Sequence, residues 1–355
     1  MVSQTQKRLL LVLLGFCLTL WMAACGSFSS QIASQQNLNR NSADCRTVQH
    51  DAGNTEICGT PQTIAVVGPN ALDLLLSLNE QPAAYADVFV THSGKLFDNP
   101  RQQIPYLGDR ITTQPVNLGN RNQPSLEALY ALQPDLILGE LGNGEAIYGT
   151  LSQIAPTVLW NNRNNREKWR TVIRQIAQAL GDQQRAEAAI AAHDQRVAQA
   201  RETFAPITAA HPQVLLLAAN DITDSLAVVG SDSYLGELLE GLGFQFALTS
   251  EQSRSVDISV EVLPTLAEAD TIFVLGHDLS AGDEAQKNSG EPVLDRALDR
   301  QTSTAQKSWQ ENAIAQSLPA SQQNRVFFTT YYLWNGLNGP IGAELVIEQL
   351  RQFLL

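Results

Sequence analysis

Two segments of the chain write one acid into one setting. Around Glu127 it reads SLEALYALQPDLIL, and around Glu261 it reads SVEVLPTLAEADTIFVL. Each has Ser, an apolar residue, Glu, an apolar residue and Leu, then an acid that opens an apolar run. Ser125, after Pro124, reads as a helix cap, which sets Glu127 at the helix end whose partial positive charge favours an acid. Pro264 follows closely on Glu261, so the second helix is expected to begin later, with Glu261 in the preceding turn. The other reactive side chains form no catalytic set. His50, His92, His193, His211 and His277 occur singly, whereas a bare metal ion needs three or four converging ligands. His277 ends TIFVLGH, at the strand end where α/β proteins place functional groups, but it lacks a Cys or His companion. No Gly-x-Ser-x-Gly elbow, His-Glu-x-x-His helix or Walker phosphate loop occurs. An exported α/β hydrolase or metalloenzyme is therefore the weaker alternative.

The N-terminus predicts export from the cytoplasm. Lys7 and Arg8 precede an apolar run from Leu9 to Ala24, too short for a membrane span of roughly 20 residues and shaped like an export signal. The run Met22-Ala23-Ala24-Cys25 resembles a bacterial lipoprotein signal, whose cysteine becomes the lipidated first residue; an ordinary cleavage site in a soluble secreted protein is the alternative. On this reading residues 1–24 are the signal and 25–44, rich in Ser, Gln and Asn, are a flexible tether. The net charge is −13, from 36 acids and 23 bases, with no basic cluster after Arg8, so nucleic acid is a poor partner. Cys45 and Cys58 flank RTVQHDAGNTEI, which alternates about a turn at 51–54 as a β-hairpin does and sets the two cysteines opposite each other. Export permits their oxidation to a disulfide. A metal site using His50 is the rival, with an incomplete ligand set.

Positioning these groups falls to alternating strands and helices. Apolar runs at 63–68, 134–139, 156–160, 213–219, 271–276 and 325–333 read as strands, with helical segments between them. That alternation predicts an α/β fold with mainly parallel sheets covered on both faces. A second repeat supports two related Rossmann-like lobes: VVGPNALDLLLSLN at 66–79 and VVGSDSYLGELLEGLG at 228–243, with Asp73 and Glu237 a turn into their helices. Between the copies, Gly181-Asp182 is a stop and a cap. From Asp182 to Phe204 the residues are strong helix formers, with Ala186, Ala189, Ile190, Val197 and Phe204 near helical spacing. Such a helix spans about 33 Å and can bridge two lobes. The divisions expected are an N-terminal lobe at 45–165, a linking helical segment at 166–204 and a C-terminal lobe at 205–355.

Four stretches, in order behind the export signal, then resemble one family's landmarks: PQTIAVVGPNALDLLLSLN, YLGDRITTQPVNLGNRNQPSLEALYALQPDLIL, IYGTLSQIAPTVLW and SVEVLPTLAEADTIFVL. The family is that of substrate-binding lipoproteins of bacterial ABC importers, in the helix-linked class that carries ferric siderophores, haem and cobalamin. Within it the chain is most similar to ferric-citrate and ferrichrome binders. GNRNQPSLE resembles the ferrichrome-type pattern whose arginine contacts the siderophore's iron-binding oxygens, and that residue here is Arg121. A guanidinium forks onto paired anionic oxygens and keeps its charge; without the resemblance, Arg121 would be read as an arginine paired with a nearby acid. The resemblance also implies ligand-facing roles for Tyr148, and for Trp334 and then Tyr331 in TTYYLWNG; Trp160, ending a strand beside NNRNNR, is a candidate cleft wall. Arg254, placed before Glu261 as Arg121 is before Glu127, is a second candidate clamp, and Arg110 a third. By the same resemblance Glu127 and Glu261 engage the two halves of a membrane permease dimer that works with its ATPase. The expected protein is a lipid-anchored monomer on the periplasmic face of a bacterial membrane. It has no catalytic residues, resident metal or cofactor, and its iron(III) arrives as a siderophore chelate. Haem or cobalamin binding on the same fold is the alternative.

Overall fold

The computed structural model describes residues 44–89, 92–141, 146–161, 165–247, 254–278 and 293–355. Cys25, with the expected signal and tether, lies outside the described residues. Strands β1 (Cys45–His50) and β2 (Gly53–Cys58) pair as a two-stranded sheet, and a disulfide joins Cys45 to Cys58.

From Thr60 onward the chain builds two larger sheets. The first uses β3 (Ile64–Val67), α1 (Pro69–Ser77), β4 (Ala84–Asp87), α2 (Pro100–Gln103), β5 (Val116–Asn120), α3 (Leu126–Leu132), β6 (Leu136–Glu140), α4 (Ala146–Leu151) and β7 (Thr157–Trp160). Its strands are all parallel in the order β5-β4-β3-β6-β7. Every residue of β3, β4, β6 and β7 is buried, as strands covered on both faces require. The chain leaves β3 for β4 on one side and later returns to β6 on the other. The carboxyl ends of β3 and β6 therefore flank the point where an open α/β sheet places its ligand.

Helices α5 (Lys168–Leu180) and α6 (Gln183–Ala210) connect the sheets. Gly181, at φ +81°, ends α5, and the amides of Gly181 and Asp182 satisfy its last carbonyls. Asp182 precedes α6 but does not cap it, because its carboxylate turns to Arg185. The helix runs past the expected Phe204 and carries Pro206 within it. Ala186, Ile190, His193, Ala200 and Phe204 form its buried stripe.

The second sheet uses β8 (Gln213–Ala219), β9 (Leu226–Val228), α7 (Tyr234–Gly241), β10 (Gln245–Phe246), β11 (Val256–Ile258), a 3-10 helix (Val260–Leu266) and β12 (Thr271–Gly276). It continues with α8 (Val293–Glu311), α9 (Ala313–Ser317), α10 (Pro319–Gln322), β13 (Val326–Thr330), a π-helical turn (Tyr332–Gly336) and α11 (Pro340–Leu354). Its order is β11-β9-β8-β12-β13, with β10 also on β8. Here the parallel pattern breaks: β9 runs antiparallel to β8, and β11 antiparallel to β9. Gly230 and the start of α7 thus emerge at the amino end of the sheet, whereas Gly68 and α1 lie at the carboxyl end of theirs. The two VVG segments are similar in sequence but not equivalent in topology.

Candidate functional site

The first sheet's carboxyl edge carries an ion pair across its switch point. Arg121 follows β5, held by its amide to the Asp87 carbonyl at 2.7 Å. Its side chain crosses the ends of β4 and β3 to reach Glu140, at the end of β6, with Nη1 2.9 Å from Oε2. The two side chains are only 12% and 7% exposed. The other carboxylate oxygen, Oε1, accepts the Asn70 amide at 3.3 Å, in the first turn of α1. Gly68 makes room for this arrangement, since a Cβ there would meet Glu140 Oε1 at 3.0 Å and Arg121 Cδ at 3.6 Å. Its φ of +107° also demands glycine.

The carboxyl ends of the two sheets are tied together beside that pair. Asp87, ending β4, accepts a 3.0 Å hydrogen bond from the hydroxyl of Tyr332, which follows β13. Tyr85 Oη lies 3.2 Å from the same hydroxyl, and Phe89 stacks on the Tyr332 ring. Tyr106 and Thr330 make a second link at 2.7 Å. Burial pushes Asp87 up to about 6, although the Val88 amide and the Tyr332 hydroxyl pull the other way. It also drives the Tyr85 and Tyr332 hydroxyls well above the usual phenol range. On the second sheet, His277 and Tyr331 meet edge to face, centroids 5.3 Å apart, beyond the ends of β12 and β13. Tyr331 is half-buried there.

Several expected residues lie elsewhere. Trp334 is wholly buried, its indole N–H donating to Gln349 at 2.6 Å and its ring packed on Phe273, so it belongs to the core. Strand alternation does not sort Tyr331, Tyr332 and Trp334, because β13 stops at Thr330 and a π-helical turn takes over. Trp160 is buried as well, with its indole N–H on Asn70 Oδ1 at 2.9 Å, and walls no open space. Arg110 sits by Gln81, ahead of β4, and pairs with Glu344 of α11. That is the amino end of the first sheet, opposite Arg121. Arg254 is exposed and precedes its strand, whereas Arg121 follows β5. Val256 pairs with Val228, whose β8 partner is Leu217, so β11 is entered below the carboxyl edge and Arg254 does not match Arg121. Tyr148 is half-buried, its ring edge on His50 at 5.3 Å and its hydroxyl 3.3 Å from Thr55.

The two glutamates are exposed, each just beyond the carboxyl end of an edge strand, β5 for Glu127 and β11 for Glu261. Ser125 caps α3 by accepting the Ala128 amide at 3.2 Å. Glu261 stands in the first turn of the 3-10 helix, which contains Pro264, rather than in a turn ahead of a later helix. A groove of about 720 Å³ runs beside Glu127, lined by Leu96, Leu118, Ala128 and Leu132 among others.

The sequence reading named neither Glu140 nor Asp87. Both are acids closing fully buried strands, LILGE and AYAD. An acid at the end of an apolar run, where the next residues turn into a helix or loop, was the signal available.

A family model described as "Periplasmic binding protein" matches residues 64–333. YhfQ of Bacillus subtilis, assigned as an ABC transporter substrate-binding lipoprotein, is 24% identical over 98% of this chain and 98% of its own. The Fe(3+)-citrate-binding protein YfmC of the same species is 26% identical over 89% of each chain. Among solved structures, Staphylococcus aureus SirA complexed with staphyloferrin B superposes with a TM-score of 0.65 at 23% identity. That match covers 87% of this chain and 98% of SirA, and at that identity it speaks to fold alone.

Proposed function

The chain belongs to the periplasmic binding proteins, and we propose that it holds a ferric siderophore against the carboxyl ends of its two sheets and delivers it to an ABC importer. The observation that carries this reading is the guanidinium of Arg121 laid across the switch point of the first sheet. A buried cation there, with Tyr331 and His277 on the second sheet, suits the oxygen-rich face of a chelate whose iron is already coordinated. The ligand named for a similar protein, Fe(3+)-citrate for YfmC, supports a ferric chelate as the substrate class. The protein is a binding protein, not an enzyme.

Delivery falls to Glu127 and Glu261, set at matching edges of the two sheets so that one monomer spans a two-fold permease. Cys25, lipidated, ties the protein to the periplasmic face of the membrane; no helix among the described residues is long and apolar enough to cross one. The test is intrinsic-fluorescence titration with a panel of ferric siderophores and with bare ferric and zinc ions. Saturable quenching by a chelate and none by the bare ions is expected; tight binding of a bare ion would overturn the reading. Because His and Tyr are both haem iron ligands, the His277–Tyr331 pair makes haem the second reading. A Soret shift on adding haem, lost in His277→Ala, would favour it.

A further inference from the structure

We propose that Glu140 sets the charge of the ligand: by filling the anion-holding positions of the first sheet with the protein's own carboxylate, it selects an uncharged ferric chelate over a polyanionic one. The inference rests on the function proposed above and concerns the same site.

An open α/β sheet offers an anion two devices at its switch point, the amino end of the helix after the first strand and any arginine turned towards it. Both are present here, and Glu140 occupies both. Its Oε1 accepts the Asn70 amide at the start of the nine-residue α1, and its Oε2 takes Arg121 Nη1. Both partners are sequestered from water, so the charges offset each other with little screening. Gly68 is shaped for this occupancy, since any side chain there would press on Glu140 Oε1. Asp87 adds a second carboxylate at the neighbouring strand end, held by Tyr332. Among the described residues, the ends of β3, β4, β5 and β6 thus gather one guanidinium and two carboxylates.

A polyanionic chelate, such as ferric dicitrate or a ferric tris-catecholate, would have to displace Glu140 from Arg121 or sit beside it unpaired. Each alternative costs affinity, because like charges in a partly buried site repel. A ferric tris-hydroxamate carries three anionic groups on a trivalent ion and is uncharged overall. It needs donors rather than net positive charge. Arg121 supplies these, since a guanidinium carries five N–H donors and Glu140 engages it through Nη1. The protein therefore keeps a directional cationic donor while removing the long-range attraction that would recruit polyanions.

The experiment titrates the wild-type protein and Glu140→Gln, by tryptophan fluorescence, with an uncharged ferric tris-hydroxamate, ferric dicitrate and a ferric tris-catecholate. The wild type is expected to bind the tris-hydroxamate most tightly. Glu140→Gln keeps the side-chain shape but frees the positive charge of Arg121. It should tighten binding of the two anionic chelates by roughly tenfold to a hundredfold, the size of a charge-assisted hydrogen bond, and leave the tris-hydroxamate nearly unchanged. Raised salt should reduce the gain. A wild type that prefers a polyanion overturns the proposal without any variant. So does a Glu140→Gln protein whose preference among the three does not move, while ferric-siderophore binding itself stands. Failure of every ferric chelate to bind the wild type is a different outcome and overturns the proposed function, with this inference.

Discussion

The sequence singled out Arg121 through its setting in GNRNQPSLE; the structure pairs it with an acid, as its alternative reading had it, and that acid was not legible. Glu140 lies 19 positions away, and only the strand order brings the two ends into reach. The aromatic candidates were misplaced for a related reason: composition marks Trp334 and Trp160 as large and amphipathic, while burial is decided by neighbours such as Gln349, Phe273 and Asn70. Trp334→Ala should therefore cost stability, about 3–5 kcal/mol in chemical denaturation, and leave the ligand affinity of the folded protein unchanged. Loss of affinity at unchanged stability would return Trp334 to the site. Asp87 makes a pH prediction. Its folded value of about 6 exceeds the ordinary 3.8, so between them the folded chain holds a proton that the unfolded chain has released. The stability from this group is full below the lower value and lost as pH rises through the upper one. Asparagine can accept from Val88 and meet the Tyr332 hydroxyl without ionising. The melting temperature of Asp87→Asn, relative to wild type, should thus climb between about pH 4 and about pH 7. His193, which burial lowers to about 4, contributes in the opposite sense and is common to both proteins, so the difference isolates Asp87. A constant gap across that range would contradict the assignment.

Elements were legible where one rule governs them. Strands β6 and β12 are buried throughout and carry the apolar runs LIL and IFVL because both faces are covered, and α6 follows from helix formers with a spaced apolar stripe. The antiparallel β9 and β11 were not legible: three-residue strands are too short to show periodicity, and direction depends on what they pair with. Nor was the π-helical turn at 332–336, where six consecutive residues, Thr329 to Trp334, resemble a continuing strand. That turn brings Tyr332 to Asp87 and leads into α11, whose first amides at Ile341 and Gly342 both donate to Asp73 of α1. Arg166, just ahead of α5, and Arg170, in its first turn, pair with Glu240 and Glu237 of α7. With α6 unbroken between the sheets, these contacts leave no loose hinge among the described residues, so ligand binding should change the radius of gyration little in small-angle scattering. A large compaction would mean that the Asp73 and Tyr332 contacts open in the absence of ligand.

For the whole molecule, the repeated glutamate is the feature that the sequence announced and that local structure accounts for only in part. Helix-end electrostatics contribute about 0.3–1 kcal/mol at an exposed site and would suffice for either acid alone. They do not account for Glu127 and Glu261 standing beyond the carboxyl ends of the two outer strands, one per sheet. Changing both to Lys should leave siderophore affinity intact and abolish uptake through the cognate permease, read as iron accumulation at matched expression. Normal uptake would leave helix-end electrostatics as their whole role. The central claim, that a ferric siderophore binds at the Arg121 edge, is tested most directly by equilibrium titration of Arg121→Ala. The substitution is made alone and with Glu140→Gln, so that no unpaired carboxylate is left buried. With the preferred siderophore, both variants should bind one to two powers of ten more weakly than a protein that retains Arg121, since charge-assisted hydrogen bonds are worth about 1.5–3 kcal/mol. Wild-type affinity in both folded variants would contradict the account.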